Sequence, residues 1–394
     1  MKIIAINSGS SSLKWKLFNM PQEKVIASGF FERIGFDKTQ AYFSYNKKTK
    51  KIIIKANTHL GVVKILLDKL VEYNIIINKQ EISGIGHRIV AGGEIFNQST
   101  ILNNKNLKTL EKLSEYAPLH NPPETMGIHA FMKAFPDAIE VGVFDTSFHT
   151  TIPKENYLYG LPYSYYTEYK ARKYGAHGTS HKYIASRVSS ILNKPLNKLK
   201  LITMHLGNGS SLDAILNGKS FDTSMGFTPL TGIPMGTRSG DIDASLILYL
   251  MKKMNMSSDE MLQVLNHKSG LLGISGISSD IRDILNDKNN PMSKLAINIF
   301  INRIIKYIGA YTMEMGGLDV LAFSGGIGEN STTIRQMILN KLSFLQLKID
   351  KNKNKINGKE TIISKNDSKI TVMIIPTNEE LMIAREVQKI LTKN

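Results

Sequence analysis

Several groups in this sequence could act on phosphate or carboxylate. Asn7-Ser8-Gly9-Ser10-Ser11-Ser12 and Leu206-Gly207-Asn208-Gly209-Ser210-Ser211 are compact polar turns. Turns of this composition let several backbone N–H groups converge on one anion while hydroxyls add further donors. Lys14 places a positive charge just beyond the first of them. Glycine, asparagine and serine also build ordinary hairpin turns, so either segment alone fits both readings. A third loop, Ser324-Gly325-Gly326-Ile327-Gly328-Glu329-Asn330, follows the apolar run Val320–Phe323. Glycine there would admit a nucleotide close to the backbone, although tight strand-to-helix turns demand it as well. Gly218-Lys219-Ser220 has the ending of a P-loop, but Asp213 stands where its first glycine belongs, so this is not a Walker A site.

Two arginines sit beside glycines: Arg88, shortly before Gly92-Gly93, and Arg238 in Gly236-Thr237-Arg238-Ser239-Gly240-Asp241. A guanidinium on such backbone can offer a bidentate fork to carboxylate or phosphate, or pair with a neighbour such as Asp241. Asp145 ends the expected strand Glu140–Phe144, a frequent position for functional acids in α/β proteins. Glu379, in Thr377-Asn378-Glu379-Glu380, could hold a cation. The same stretch also fits a capping box with Thr377 as N-cap and Glu380 at N3. His177 and His181 are four apart in Ala176-His177-Gly178-Thr179-Ser180-His181, a zinc-pair spacing that lacks the metalloprotease glutamate. Donation from a histidine to a phosphoryl oxygen suits them better. No Gly-x-Ser-x-Gly elbow supports a serine hydrolase, and the absence of cysteine removes thiolate chemistry and disulfides.

The elements that must position these groups alternate in type. Lys2–Ile6, the first polar turn and Leu13–Phe18 read as a hairpin. Leu201–His205, the second turn and Leu212–Leu216 repeat the arrangement about half a chain later, which suggests two related domains. Apolar stripes at Leu60, Val63, Leu67, Leu70 and Val71, and at Ile297, Ile301, Ile304, Ile305 and Ile308, predict helices lying on a core. Pro122-Pro123 sits where a helix would begin. With further strands at Ile139–Phe144, Val320–Phe323 and Lys369–Ile375, the chain reads as α/β. The expected domains are 1–150 and 151–379, with a C-terminal helix at about 380–394 packing back on the first.

The chain has 394 residues, 42% of them hydrophobic, and a net charge of +17. Its lysines are scattered, and the densest run, Lys351–Lys369, lacks aromatics and reads as a solvated loop or hairpin. That argues against specific nucleic-acid binding, while a basic surface would help gather anionic substrates such as ATP. No apolar stretch nears the roughly 18 residues of a membrane span, and the N-terminus has no signal-peptide layout. The expectation is a cytoplasmic protein that meets neither membrane nor nucleic acid.

Taken in order, these segments resemble the acetate kinase (acetokinase) family from the first strand to the last helix. Asn7–Lys14, His87-Arg88, Ala117–Pro122, Phe144–His149, Tyr174–His181, His205–Gly209, Gly236–Asp241, Gly325–Asn330 and Pro376–Glu380 carry the resemblance. It implies two ribonuclease-H-like (actin-like ATPase) domains around a central nucleotide cleft, usually in a homodimer with the second domain providing dimerisation. It further implies that Lys14, His205, Leu206, Gly207, Asn208, Gly209, Asp280, Ile281, Arg282, Gly326, Ile327, Gly328, Glu329 and Asn330 line an ATP/ADP site. Asn7 and Glu379 would hold Mg²⁺, with Mn²⁺ as a substitute. Arg88 and Arg238 would grip carboxylate and phosphoryl, His177 would donate to the phosphoryl, and Val90, Leu119 and Pro229 would enclose the acyl methyl. The implied reaction is reversible in-line transfer from ATP to acetate, giving acetyl phosphate and ADP. The nucleophile is already ionised near neutral pH, so Asp145 is expected to orient Mg²⁺, water or Arg238 rather than act as a base.

Two residues depart from the family pattern: Ala176 where phenylalanine is usual, and Ala91 where histidine is usual. If the aromatic normally closes the acyl pocket, Ala176 leaves room for propionate or butyrate, unless a neighbour such as Phe227 refills the space. One methylene is worth about 1–3 kcal/mol of discrimination, enough to shift a preference without changing the reaction. The alternatives are thus a propionate or butyrate kinase and, in another class, a non-enzymatic ATP-switched actin-like protein.

Overall fold

The computed structural model describes residues 1–115, 117 and 120–393. Leu119, expected at the acyl pocket, lies outside them, as does Pro118 of the same segment. The chain divides into two compact units, Met1–Phe148 with Asn378–Asn394, and His149–Thr377.

The first unit is built on an eight-stranded sheet: β1 (Lys2–Ser8), β2 (Ser12–Asn19), β3 (Lys24–Glu32), β4 (Thr39–Tyr45), β5 (Lys48–Ile54), β6 (Ile82–Ile89), β7 (Thr100–Ile101) and β8 (Ile139–Phe144). Its order is β5-β4-β3-β2-β1-β6-β8-β7. β1, β2 and β3 run antiparallel, whereas β1, β6 and β8 run parallel. The second unit carries β9 (Leu201–Leu206), β10 (Ser210–Leu216), β11 (Lys219–Thr223), β12 (Val320–Ser324), β13 (Thr361–Ile362) and β14 (Thr371–Ile374), ordered β11-β10-β9-β12-β14-β13. Here too a hairpin pair flanks a parallel trio, β9, β12 and β14. Both units therefore contain the same five-stranded ribonuclease-H-like core, β3-β2-β1-β6-β8 in one and β11-β10-β9-β12-β14 in the other. The α/β expectation holds, and the repeated polar turn is the β1–β2 link in the first copy and the β9–β10 link in the second.

Continuous apolar runs form the central strands because both faces are covered; Ile3, Ile4, Ala5 and Ile6 are at most 1% exposed. The helix His59–Glu72 is capped by the Thr58 side chain, which accepts from Gly61 N–H. It buries Val62, Val63, Leu66 and Leu70, and Val71 faces outward, so the expected stripe is rotated by about one residue. The helix Asn121–Ala134 does begin at the proline pair. In the second unit Pro291–Glu314 buries Ile297, Ile301, Ile304 and Ile308 as expected. Each such side chain contributes about 1.5–3 kcal/mol of burial.

The C-terminal helix Glu379–Leu391 lies directly on β6. A Cβ on Gly86 would stand 2.4 Å from Ile383 Cγ2, which explains why glycine occupies this strand position. Asn378, not Thr377, caps this helix by accepting from Leu381 N–H, while the Thr377 hydroxyl hydrogen-bonds Ser180. The capping-box register expected from sequence is thus one residue early, and Glu379 stands at the first helical position.

Candidate active site

In the first unit the parallel strands β6 and β8 end side by side, and their ends carry Arg88 and Asp145. Asp145 is fully buried; its Oδ2 accepts from Arg88 Nε at 3.1 Å and Nη2 at 2.6 Å. The Glu379 carboxylate lies 3.8 Å from Arg88 Nε. Burial works against the charge on Arg88, but Asp145, Glu379 and Glu124 hold it firmly protonated. One strand position earlier, His87 Nε2 is anchored 2.6 Å from buried Glu140.

The loop after β6 is held by side chains rather than by sheet. Glu124 accepts from Val90 N–H, Asn121 exchanges two hydrogen bonds with the Ala91 backbone, and Thr146 accepts from Gly92 N–H. Val90 and Ala91 pack with Ala117 in a small buried cluster. Burial pushes Glu124 up to about 8, against the pull of Arg88 and the Val90 N–H. Burial likewise pushes Glu379 up to about 7; Arg88 opposes this, while Asp145 and Glu380 add to it. Lys14 pairs with Glu380 at 2.5 Å, and Lys16 reaches the other oxygen at 3.3 Å. The first polar turn is braced by His59, whose Nε2 lies 2.9 Å from the Gly9 carbonyl.

The second unit holds the histidines, Arg238 and the other two loops. His177 takes a left-handed backbone, φ 60°, as N-cap of the helix Gly178–Leu192. Its ring lies 4.3 Å from that of His205, and its Nδ1 is 2.9 Å from Ser211 Oγ. A Cβ on Gly209 would meet the His177 ring at 3.4 Å and Arg238 Nη1 at 3.9 Å, so glycine lets both side chains converge on this turn. Arg238 Nη1 donates to the Pro229 carbonyl, while Asp241 accepts from Gly232 N–H and Tyr307 OH.

Gly207, Asn208, Asp280, Ile281, Arg282, Gly326, Ile327 and Asn330 border one cavity of about 1130 Å³. That is ample for a nucleotide-sized ligand. Asp280 caps the helix Ile281–Asn286 and grips Arg282, whose hydrogen bonds hold its carboxyl down at about 2. Leu206, Gly328 and Glu329, also expected at the ATP site, make other contacts. Leu206 is sealed in the core, Gly328 offers its carbonyl to Arg335, and Glu329 accepts from Gly325 and Thr377 N–H. His205 is held by Ser180.

The acetokinase family model matches residues 2–385 of the chain. The chain belongs to the acetokinase family. It is 51% identical over 392 residues to the acetate kinase of Enterococcus faecalis, covering 99% of both chains. Its structure is similar to that of Porphyromonas gingivalis acetate kinase, with TM-score 0.94 and 40% identity over 99% of each chain. It is also similar to a propionate kinase from Francisella tularensis, with TM-score 0.92 and 40% identity over 98% of this chain and 99% of that one.

An acetokinase as a kinase uses ATP, and phosphates are accompanied by a divalent cation. Among the described residues no cluster of three or more metal-binding side chains occurs, but Mg²⁺ typically takes only one or two carboxylates and keeps several waters. Glu379 fits, since its ionisation is penalised by burial and neighbouring acids, a penalty a divalent cation would relieve. Asn7 supplies an oxygen at the end of β1, cross-strand from Lys14.

Sequence reasoning missed Ser279, Lys288 and Thr332 at the 1130 Å³ cavity, and Glu124, Asn121 and Arg335 as supports. Lys288 follows a helix already assigned to the site and could have been read from that position. As for Ala176, it is 2% exposed and packed with Met225 and Met235, while the Phe227 ring stands 6.0 Å from Tyr174. Two methionines thus pack beside it.

Proposed function

We propose that this acetokinase transfers the γ-phosphoryl of ATP to acetate, reversibly, giving acetyl phosphate and ADP. The reading rests on the match along essentially the whole chain to curated acetate kinases. In the transfer an acetate oxygen bonds to the γ-phosphorus as the bond to the β,γ-bridging oxygen breaks, and ADP leaves with that electron pair. No proton has to move from the nucleophile, so the chain's task is to position reactants and to offset charge.

Arg88 binds the carboxylate, with its fork fixed by Asp145 so that little rotamer freedom is lost on binding. Asp145 is an orienting acid; the cation it holds is Arg88. Val90 lies beside the acyl methyl, and Pro229 is assigned the same role in the second unit. The loops around Gly207–Asn208, Asp280–Arg282 and Gly326–Asn330 bind the nucleotide, with Gly328 and Glu329 as their inner supports. Arg238 and His177 offset charge on the moving phosphoryl. Mg²⁺, held by Glu379 and Asn7 directly or through water, would neutralise phosphate charge when bound; Mn²⁺ would substitute. Lys14 supplies positive charge beside Glu379 and Glu380.

The match to a propionate kinase keeps a longer acyl chain as the second reading, but the methionine packing around Ala176 favours acetate. Trapping acyl phosphate with hydroxylamine, using ATP, Mg²⁺ and separately acetate, propionate and butyrate, tests both. Mg²⁺-dependent product greatest with acetate is expected. Greater product with a longer acid would move the assignment to the second reading, and no product with any acid would end the kinase reading. We further infer a homodimer, supported by the helix Ala244–Met254, which buries none of its residues within the chain. A cytoplasmic location accords with the absence of cysteine. No described helix is long and apolar enough to cross a membrane.

A further inference from the structure

Which nitrogen of a histidine carries its proton must be worked out from the network around it. The hydrogen bonds of Thr203, His181 and Ser211 decide it for Nδ1 of His177. Thr203 on β9 is fully buried, and its hydroxyl has one hydrogen-bonding partner among the described residues, His181 Nδ1 at 2.7 Å. A buried hydroxyl that fails to donate loses a hydrogen bond it had in water, so Thr203 donates and His181 Nδ1 accepts. A neutral His181 then carries its proton on Nε2. That nitrogen lies 2.8 Å from Ser211 Oγ and donates to it. Ser211 is fully buried, and its other neighbour is His177 Nδ1, at 2.9 Å. The single Ser211 proton is thereby directed onto His177 Nδ1, which has to accept.

We propose that Thr203, His181 and Ser211 form a one-way hydrogen-bond relay that fixes His177 as the Nε2–H tautomer. The relay makes His181 and Ser211 positioning residues acting through His177. The inference rests on the kinase reading only for its consequence, that a donor faces the phosphoryl; the tautomer itself follows from geometry. The Nε2–Cε1 edge of His177 is the edge nearest Gly209, where a Cβ would stand 3.4 Å from both atoms. The relay therefore presents the N–H at the polar turn. Burial, with His149 and His205 nearby, drives the His181 pKa well below its ordinary value, consistent with the neutral ring the relay needs. In the reverse direction Thr203 would leave a buried O–H without an acceptor, and His177 would present a lone pair toward an anion.

The test is a ¹⁵N-histidine spectrum of the full chain near neutral pH, with His177 assigned by the signals lost in His177→Gln. The expected result is a pyridine-type nitrogen at Nδ1 and a pyrrole-type nitrogen at Nε2. A protonated Nδ1, or a cationic ring, overturns the relay. Ser211→Ala should move the His177 signals toward mixed tautomers and lower kcat on the order of tenfold. That is less than the ~10²–10³ lost when an electrostatic donor itself is removed. The KM for ATP should stay near the parent value, and Ser211→Thr should restore both signal and kcat. A Ser211→Ala protein with shifted signals but unchanged kcat overturns the link to turnover. Failure of the kinase reading registers separately, as loss of hydroxylamine-trapped product from the unmodified chain.

Discussion

Glu124 shows how a residue outside every recognisable motif can govern the site. Its carboxyl is buried, accepts from Val90 N–H, and has its pKa pushed up to about 8 by desolvation, a shift Arg88 reduces but does not cancel. In the unfolded chain the same group releases its proton near its ordinary value. The folded form therefore holds a proton that the unfolded form has lost, across the interval up to about 8. The favourable contribution is complete below the unfolded pKa and declines as pH rises through that interval, at up to about 1.4 kcal/mol per pH unit. Glu124→Gln keeps an acceptor for Val90 N–H and removes the titration. Urea midpoints of the variant and the parent should therefore diverge as pH rises from about 5 to about 8, with the variant gaining. Parallel curves would mean that Glu124 ionises normally. Glu379, pushed up to about 7, titrates in both proteins and drops out of the comparison.

Among elements, the short helix Gly325–Asn330 at the cavity proposed for the nucleotide leans on a single buried cation. Arg335 is fully buried and donates to the carbonyls of Gly328, Glu329, Asn354 and Ile356; burial lowers its pKa to about 10. Arg335→Met should leave these carbonyls unpaired and cost on the order of 3 kcal/mol in chemical denaturation. It should also raise the KM for ATP more than that for acetate, because Gly326 and Ile327 border the cavity. Equal changes in both constants would sink this account. The sequence shows the loop but hides its support. Turn chemistry is local, so the polar turns at Asn7–Ser12 and Gly207–Ser211 can be read directly. Arg335, by contrast, finds Asn354 and Ile356 inside the lysine-rich run that reads as a solvated loop. The last helix is capped one residue later than its local sequence suggests, for a related reason. Thr377 and Asn378 are both good N-caps, and contacts far away in sequence, to Ser180 and Glu329, take Thr377 out of competition. Likewise, nothing near Ala176 in sequence announces that Met225 and Met235 will pack against it.

For the whole molecule, the repeat of one hairpin foreshadowed two copies of one sheet order, because a glycine-rich turn between two apolar strands specifies its own pairing. The parallel strands that complete each copy pair across long stretches of sequence and could not be matched from the hairpins alone. What the fold leaves uncovered is equally informative. The helix Ala244–Met254 exposes Leu246 (44%), Leu248 (67%) and Tyr249 (56%), although its composition is that of a core element. Exposed apolar side chains concentrated on one helix suit an association surface, and in this family member the proposed occupant is a second copy of the chain. Leu248 makes a clean probe because its exposure means that a charge there costs the isolated fold little. Leu248→Asp should shift sedimentation toward the monomer at micromolar concentration while circular dichroism stays at the parent level. An unmodified chain that sediments as a monomer would remove the homodimer, whereas a variant that stays dimeric would move the interface to another face.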